Sequence, residues 1–418
     1  MDVTLVLTHD CNLGCGYCYA GAKFNKRMPA EIAAEALELA FSKGAAKVQI
    51  SFFGGEPLIA WPMLVDVANE ARERAAAQGA ELKMSVTTNG TLLDRERAKI
   101  LDDLGVYVGL SIDGIAEAHD SNRPKMGGGS SFDDVKRGLD VLLARGTPFE
   151  TISVVTPQNT KFLGESVRFL IGAGVPRVGL NPCYEAAFTD SELDSYGQGL
   201  SVSADVMLEC FRAGRIVSMP VFDNKILAAL KGGLSEGDKC SLGDGSVAVA
   251  PSGNIYPCER FVAEDEDHTF VMGNVMTGFV PRGQQGGGEA CERGPINPEC
   301  EPCGERWRCA SFCACANRAE TGKTNVAGGT QCWHERTTGA LADRIAETLW
   351  QEKNPWFLAW FYGRVAGLGA ALKENEASEA AAGASKEAAT APQTARMHGP
   401  AGVIARRTPE RAHLRVMR

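Results

Sequence analysis

The chain has 418 residues and a formal net charge of -9, with 44% hydrophobic and 23% charged residues. These values are typical of a globular protein of two or three domains, and the negative charge disfavours nucleic acid, whose non-specific binding depends on Lys and Arg. No stretch approaches the roughly 20 apolar residues that a helix needs to span a membrane, so we expect no membrane partner.

The first 182 residues alternate predicted strands and helices. The strands are predicted near residues 3–8, 48–53, 83–88, 107–112, 149–155 and 177–181. The helices are predicted near residues 29–43, 61–77, 94–104, 132–145 and 163–172. Repeated β-α units imply a parallel sheet with right-handed crossovers, and six strands are two short of a closed barrel. The sequence therefore predicts an α/β fold, a partial TIM-like (β/α)6 barrel over residues 1–182.

The remainder of the chain divides by composition. Residues 183–238 are predicted to form a helical bridge. Residues 239–335 lack a periodic pattern and are rich in Cys, Gly and Pro, so this segment needs metal to fold. A helix with an aromatic face is predicted over residues 336–373, packed against the Cys-rich segment. The Ala-rich and then Arg-rich tail, residues 374–418, is expected to be disordered.

Fourteen cysteines are present, and Met1 leads almost directly into the first cysteine motif without a signal peptide. A reducing compartment such as the cytoplasm is therefore expected, where cysteines are metal ligands more often than disulfides. Ten of them form two groups with spacings suited to soft metal centres. The first group is Cys11, Cys15 and Cys18; the second is Cys240, Cys258, Cys300, Cys303, Cys309, Cys313 and Cys332. Cys183 and Cys210 are expected to be buried core thiols.

The first group has the spacing of a 4Fe–4S cluster with three protein ligands, which leaves one iron open to a second molecule. Two further motifs, Gly54–Pro57 and Ser111–Gly114, follow the second and fourth predicted strands. The carboxyl ends of parallel strands share one edge of a sheet, where active sites gather. Two simpler interpretations remain open: zinc bound by this group with His9 as fourth ligand, and a plain turn at the two glycines.

The arrangement Cys11-x3-Cys15-x-Tyr17-Cys18 resembles the signature of radical S-adenosylmethionine (SAM) enzymes. The resemblance covers about residues 3–182 and includes Gly54-Gly55-Glu56-Pro57, which is similar to the family's motif for the SAM amino group. It implies that SAM chelates the open iron and that reductive cleavage yields a 5′-deoxyadenosyl radical, which abstracts a hydrogen from substrate. The implied SAM-binding residues are Tyr17, Gly54, Gly55, Glu56, Pro57, Ser111 and Arg123.

The resemblance gives these residues different roles. The two glycines would let the backbone approach the SAM amine, and Glu56 would balance its charge. Ser111 would face the ribose or carboxylate of SAM, and Arg123 would meet the carboxylate. Tyr17 is either an adenine contact or an ordinary packing aromatic.

The distal cysteines, in the order Cys240-x12-Gly253-x4-Cys258, Cys300-x2-Cys303-x5-Cys309-x3-Cys313 and Cys332, resemble the seven-cysteine SPASM domain, which holds two auxiliary 4Fe–4S clusters. The implied ligands of the distal cluster are Cys300, Cys303, Cys309 and Cys332. Those of the proximal cluster are Cys240, Cys258 and Cys313. Ser246 stands where sulfatase maturases have a further cysteine, so the fourth proximal position is either open or filled by Cys291 or Cys315. Zinc in place of iron remains an alternative.

Glu259 directly follows Cys258, at the place where sulfatase maturases carry a catalytic Asp. A carboxylate there is a candidate general base, and the alternative is a surface ion pair with Arg260. The change from Asp to Glu makes formylglycine formation doubtful.

The predicted function is a radical SAM/SPASM maturase that modifies a residue of a peptide or protein by crosslinking or side-chain oxidation. The predicted cofactors are SAM and three 4Fe–4S clusters. An electron donor such as flavodoxin or ferredoxin is expected, and leader recognition would fall to a separate protein. The alternatives are a sulfatase-maturase-like side-chain oxidase, a small-molecule oxidase and, in another class, an electron-transfer protein without SAM chemistry. The pairing of the first cysteine group with Gly54–Pro57 disfavours the last of these.

Overall fold

The computed structural model of the chain describes residues 1–240, 242–279 and 297–365. Cys291 and the predicted disordered tail, residues 374–418, lie outside the described residues. No helix within the described ranges has the length and apolar content to cross a membrane.

One ten-stranded sheet forms the centre of the fold. Its strands are β1 (Asp2–Val6), β2 (Lys47–Phe53), β3 (Glu81–Thr88), β4 (Val106–Ser111), β5 (Phe149–Val155), β6 (Val178–Pro182), β7 (Ser246–Val249), β8 (Asn254–Tyr256), β9 (Gly273–Asn274) and β10 (Gly278–Phe279). The order across the sheet is β10-β9-β8-β7-β1-β2-β3-β4-β5-β6. Every neighbouring pair from β7 to β6 is parallel, and β8 to β10 continue the sheet antiparallel. The predicted α/β fold with a parallel sheet is confirmed.

Helices connect the strands. They are α1 (Ala30–Ala40), α2 (Trp61–Gln78), α3 (Arg95–Leu104), α4 (Ala116–Asp120), α5 (Phe132–Arg145), α6 (Leu163–Ala173), α7 (Asp190–Arg212), α8 (Pro220–Lys231), α9 (Ala314–Thr321), α10 (Gly329–Gln351) and α11 (Pro355–Phe357). Local chemistry fixes their ends. The Asp94 carboxylate accepts the Arg97 amide at the start of α3, and Gly105 ends the helix with φ +73°. Both are ordinary capping devices.

The hydrophobic core lies between the sheet and these helices. Val3 and Leu5 of β1, Ile50 and Phe52 of β2 and Val86 of β3 are at most 2% exposed. Parallel strands covered by helices are expected to bury such β-branched and aromatic side chains. The loops at the carboxyl ends of β1, β2 and β4 carry the motifs predicted from the sequence, so these motifs share one edge of the sheet.

Strand β7 joins the Cys-rich segment to the barrel. It pairs in parallel with β1, with Val3 opposite Val247 and Leu5 opposite Val249. The sequence did not predict this pairing, because its two strands are about 240 positions apart and neither carries a local signal for the other.

Within the described residues, the helix predicted over residues 336–373 has different bounds, and residues 366–373 lie outside the described range. Helix α10 already begins at Gly329, so that Cys332 lies in its first turn, and it ends at Gln351. Lys353 has φ +50°, and the Asn354 side chain accepts the amides of Trp356 and Phe357 to start the short helix α11. The Asn-Pro pair at 354–355 is an N-cap followed by proline at the first helical position, a signal that marks a new helix.

Candidate functional site

The three cysteines of the first group lie in the loop that follows β1. All three are half-buried. The Lys23 ammonium is 2.9 Å from the Cys18 sulfur, and the Asn89 amide points at the Cys11 sulfur from 3.9 Å. Burial raises the pKa of the Cys11 thiol to about 12, so a thiolate there needs a cation as partner. A cationic iron cluster is such a partner, and the donor set fits it.

The two glycines after β2 let their backbone pack closely against the segment that precedes Cys11. A Cβ atom on Gly54 would lie 2.5 Å from the Thr8 carbonyl oxygen, and one on Gly55 would lie 2.2 Å from the Asp10 oxygen. The Gly55 amide donates to Thr8 at 2.7 Å. The glycines therefore fix the segment that leads into Cys11. Their predicted contact with the SAM amine stays a prediction.

Glu56 is 1% exposed and fully engaged with the chain. Its carboxylate accepts the Leu58 amide at 3.0 Å, the Thr88 hydroxyl at 2.6 Å and the Asn89 amide at 2.7 Å. These bonds tie the end of β2 to the end of β3. Burial raises the pKa of Glu56, and the three donors oppose that shift. Pro57, also buried, begins the short 3-10 turn that follows.

A buried ion pair occupies the edge after β4. Arg123 donates to both oxygens of Asp113 at 3.0 Å, and the Tyr17 hydroxyl donates to the same carboxylate at 3.1 Å. The Arg123 guanidinium also lies 5.1 Å from the centre of the Tyr17 ring. Arg123, predicted to meet the SAM carboxylate, thus has a carboxylate partner within the chain, and Tyr17 contacts this pair. Ser111 is the half-buried last residue of β4.

Asp113 was not among the site residues predicted from the sequence. The signal was present, because Asp113 belongs to the Ser111–Gly114 motif and Arg123 follows ten positions later. Nothing in the spacing showed that their side chains meet.

The surroundings of His9 do not support the role of zinc ligand that the sequence left open. Its ring stacks on Phe24 with centroids 4.6 Å apart, and its buried Nε2 atom has no hydrogen-bond partner among the residues that the structure describes. Among the described residues, no three His, Cys, Asp or Glu side chains are placed to hold a single metal ion. A four-iron cluster binds each cysteine through a different iron and so requires a wider cage.

The Cys-rich segment contacts the cysteine loop directly. The Glu264 carboxylate accepts the Ala22 amide at 2.7 Å, and Lys26 pairs with the fully buried side chain of Asp265 at 3.3 Å. Arg260 lies over the ring of Tyr19, 4.5 Å from its centre. Two distant parts of the sequence therefore form one surface beside the first cysteine group.

Glu259 belongs to this contact. Burial and the nearby Glu259 carboxylate raise the pKa of the Tyr19 phenol. The Cys258 thiol donates to Glu259 at 3.3 Å. Arg260, the alternative partner considered for Glu259, instead forms an ion pair with Glu185. Glu259 is thus half-buried next to the cysteine loop, although its role as a base stays a prediction.

The four predicted ligands of the distal cluster line one cavity. Its volume is about 350 Å³, and its lining includes Cys300, Cys303, Cys309 and Cys332. Cys332 reaches it from the first turn of α10. Four thiols around one cavity fit a four-cysteine cluster site. Cys183 and Cys210 are 4% and 3% exposed, as expected for core thiols.

The predicted ligands of the proximal cluster meet near β7. Cys240 and Cys258 pack on one small apolar cluster that includes Tyr256 and Phe261, and Cys315 packs on the same cluster. The Cys313 sulfur lies 3.5 Å from that of Cys315. The structure thus brings one more thiol to this site than the family pattern supplied.

Residues 5–170 match the family model of the radical SAM superfamily. The chain is 24% identical over 280 residues to the cysteine-type anaerobic sulfatase-maturating enzyme of Clostridium perfringens, covering 64% of this chain and 75% of that enzyme. It is 33% identical over 174 residues to the uncharacterized protein MJ0907 of Methanocaldococcus jannaschii, covering 42% of this chain and 59% of that relative's length.

A similar solved structure is anSMEcpe with bound AdoMet, with a TM-score of 0.71 at 21% identity over 83% of this chain and 98% of that one. The same protein with bound AdoMet and the Cp18Cys peptide gives a TM-score of 0.66 at 20% identity, over 83% and 99% of the two chains. At this level of identity the likeness establishes a shared fold. Together with the family match, it makes residues 5–170 a radical SAM domain. The matched range is about two fifths of the chain and includes the loop of Cys11, Cys15 and Cys18.

Proposed function

We propose that the chain is a maturase that modifies a residue of a peptide or protein substrate by hydrogen abstraction, through a crosslink or an oxidised side chain. The observation that carries the proposal is the contact between the Cys-rich segment and the loop of Cys11, Cys15 and Cys18. A radical site needs a substrate residue held beside it, and here Glu259 and Tyr19 stand at that border. The relatives named as sulfatase-maturating enzymes act on proteins, in keeping with this substrate class.

The cofactors proposed are SAM and three 4Fe–4S clusters, one held by Cys11, Cys15 and Cys18 and two by the cysteines of residues 239–335. When bound, the first cluster and SAM supply the 5′-deoxyadenosyl radical, which is the cofactors' own chemistry. The chain holds and orients them and excludes water. Glu56 and the pair of Asp113 and Arg123 keep the surrounding loops in place through buried hydrogen bonds.

Glu259 is the proposed general base that removes a proton from the substrate residue. Its carboxylate stands next to Cys258, and its neighbour Arg260 is already paired with Glu185. Arg260 therefore does not neutralise the Glu259 carboxylate by a direct ion pair. A flavodoxin or ferredoxin is the proposed electron donor, and a separate protein is the proposed reader of any leader sequence.

Glu259→Gln tests this role. The reconstituted protein would be incubated without oxygen with SAM, dithionite and peptides encoded beside its gene or taken from sulfatases. Product measured by mass spectrometry should fall about 10²-fold or more, because the base is lost, while 5′-deoxyadenosine is still formed.

Glu266→Gln, an exposed carboxylate of the same segment, is the matched control and should keep both products. Peptide product at the parent rate in Glu259→Gln would remove Glu259 from the reaction. An isotope label on the substrate hydrogen should pass into 5′-deoxyadenosine from a peptide. If it passed only from labelled small molecules, the proposed class of peptide substrates would be wrong.

A further inference from the structure

The proximal cysteine site lacks the fourth thiol that the sulfatase-maturase pattern would supply. Ser246 stands at that position, as the first residue of β7, opposite Asp2 of β1. A neutral hydroxyl is a poor ligand for a soft iron–sulfur centre, which selects thiolates. Either an iron of this site is open to substrate, or another side chain of the chain closes it.

Cys315 is placed to close it. It lies in the first turn of α9, and its sulfur is 3.5 Å from that of Cys313. Cys240, Cys258 and Cys315 all pack on the same small apolar cluster. Cys315 therefore lies beside one predicted ligand and shares an apolar cluster with the other two.

We propose that Cys315 is the fourth ligand of the proximal auxiliary cluster, which is then held by Cys240, Cys258, Cys313 and Cys315. This inference rests on the proposed function to the extent that the segment binds iron–sulfur clusters. With four thiolates bound, no iron of the proximal cluster is left for a substrate atom. The substrate would be held by protein side chains, and the auxiliary cluster would serve only in electron transfer.

The test uses full-length protein in which Cys11, Cys15 and Cys18 are replaced by Ala, because the first cluster has an open iron of its own. After reconstitution, mild oxidation removes an iron that no protein ligand holds and leaves a three-iron cluster, which EPR detects. This triple-Ala variant, the parent of the series, should show no such signal. Adding Cys315→Ala should produce it at about one spin per chain, since four-iron sites with four cysteines then become three-cysteine sites.

Cys210→Ala, which removes a thiol of the core, is the matched control and should give no signal. Cys315→Ser and alkylation of thiols followed by mass spectrometry provide a second readout if the Ala variant folds poorly. Cys315 should be protected in the reconstituted parent and modified after iron is removed.

Two outcomes would overturn the proposal. A three-iron signal already present in the parent, and unchanged by Cys315→Ala, would mean an open proximal cluster. A signal produced by Cys291→Ala instead would make Cys291 the ligand. The experiment uses neither SAM nor peptide, so its result is independent of peptide modification. Absence of bound iron in the parent would instead remove the auxiliary clusters on which both proposals depend.

Discussion

Asp113 and Arg123 form a buried ion pair at the edge of the sheet where β4 ends. Both side chains are almost fully withdrawn from water, and Asp113 also accepts the amide of Val154 at 2.9 Å. A buried pair of this kind gives uncertain net stability, but removal of one partner leaves an uncompensated charge. Its main effect here is to hold the loop after β4 and Tyr17 in a single arrangement.

Asp113→Asn should therefore lower the free energy of unfolding by roughly 3–5 kcal/mol, because the Arg123 charge loses its buried partner. Denaturant unfolding measures this loss. Asp103→Asn, which removes the exposed partner of Lys99 on α3, should cost no more than about 1 kcal/mol. Equal small effects of the two variants would show that the Asp113 pair does not hold the loop.

His119 next to this pair is fixed as a neutral tautomer. Ser131 donates its hydroxyl to the Arg123 carbonyl, so the Ser131 oxygen accepts from His119 Nε2 at 3.0 Å. His119 Nδ1 then accepts the Asp113 amide at 3.4 Å. Burial and the Arg123 charge lower the pKa of His119 to about 4, so the folded protein holds the imidazole without a proton at neutral pH.

The depressed pKa predicts a pH dependence of stability. The contribution of His119 is fully present above pH 6.5 and is lost as pH falls towards 4, because the unfolded chain takes up the proton first. The stability difference between the parent and His119→Gln should change by roughly 3 kcal/mol across this window. Unfolding curves at several pH values measure it. A difference that stays constant between pH 7 and 4 would contradict a neutral buried His119.

Sequence predicted the residue types of the site better than their partners. The cysteines and Gly54–Pro57 stand out because their spacing alone carries the chemistry. Asp113, the partner of Arg123, could not be predicted from the spacing, because the two residues meet only through the turn after β4 and helix α4. Cys315 was predicted only as one of several alternatives, because the sequence does not show that its sulfur lies 3.5 Å from that of Cys313.

At the scale of elements, the loops after β1 and β2 are packed backbone against backbone. Gly55 touches the carbonyl of Asp10, and the Glu56 amide donates to the same oxygen at 2.8 Å. Since Asp10 directly precedes Cys11, the second loop sets the position of the first cysteine. The two loops form one unit of the site, although 40 residues lie between β1 and β2.

Gly55→Ala should disturb this unit, because its Cβ would lie 2.2 Å from the Asp10 oxygen. We expect a loss of roughly 1–3 kcal/mol of stability and a fall in bound iron of about four per chain as the first cluster is lost. Thermal unfolding and iron analysis measure the two effects. Gly172→Ala, in α6 with open space around the new Cβ, should be neutral or slightly stabilising. Full iron loading in Gly55→Ala would contradict the coupling of the loops.

Strand and helix bounds in the barrel follow the sequence closely, with every predicted strand end within about two residues of the observed one. Local patterns suffice there, because periodicity, Pro and Gly mark the ends. The parallel pairing of β7 with β1 and the early start of α10 were missed. Both depend on contacts between segments far apart in the chain.

At the scale of the whole molecule, the sheet itself links the two halves. Strand β7 extends the edge of β1, and β1 leads into the first cysteine loop. The next residues of the Cys-rich segment return over that loop through Arg260, Glu264 and Asp265. The radical SAM domain and the Cys-rich segment therefore form one structure around the proposed substrate site.

The central claim is that Cys11, Cys15 and Cys18 support reductive cleavage of SAM. The most direct test is the yield of 5′-deoxyadenosine from reconstituted protein given SAM and dithionite without oxygen, followed by chromatography. The parent is expected to form 5′-deoxyadenosine clearly, and Cys15→Ala is expected to lose this activity while the irons of the other sites are kept. No 5′-deoxyadenosine from the iron-loaded parent, or equal amounts from the variant, would contradict it.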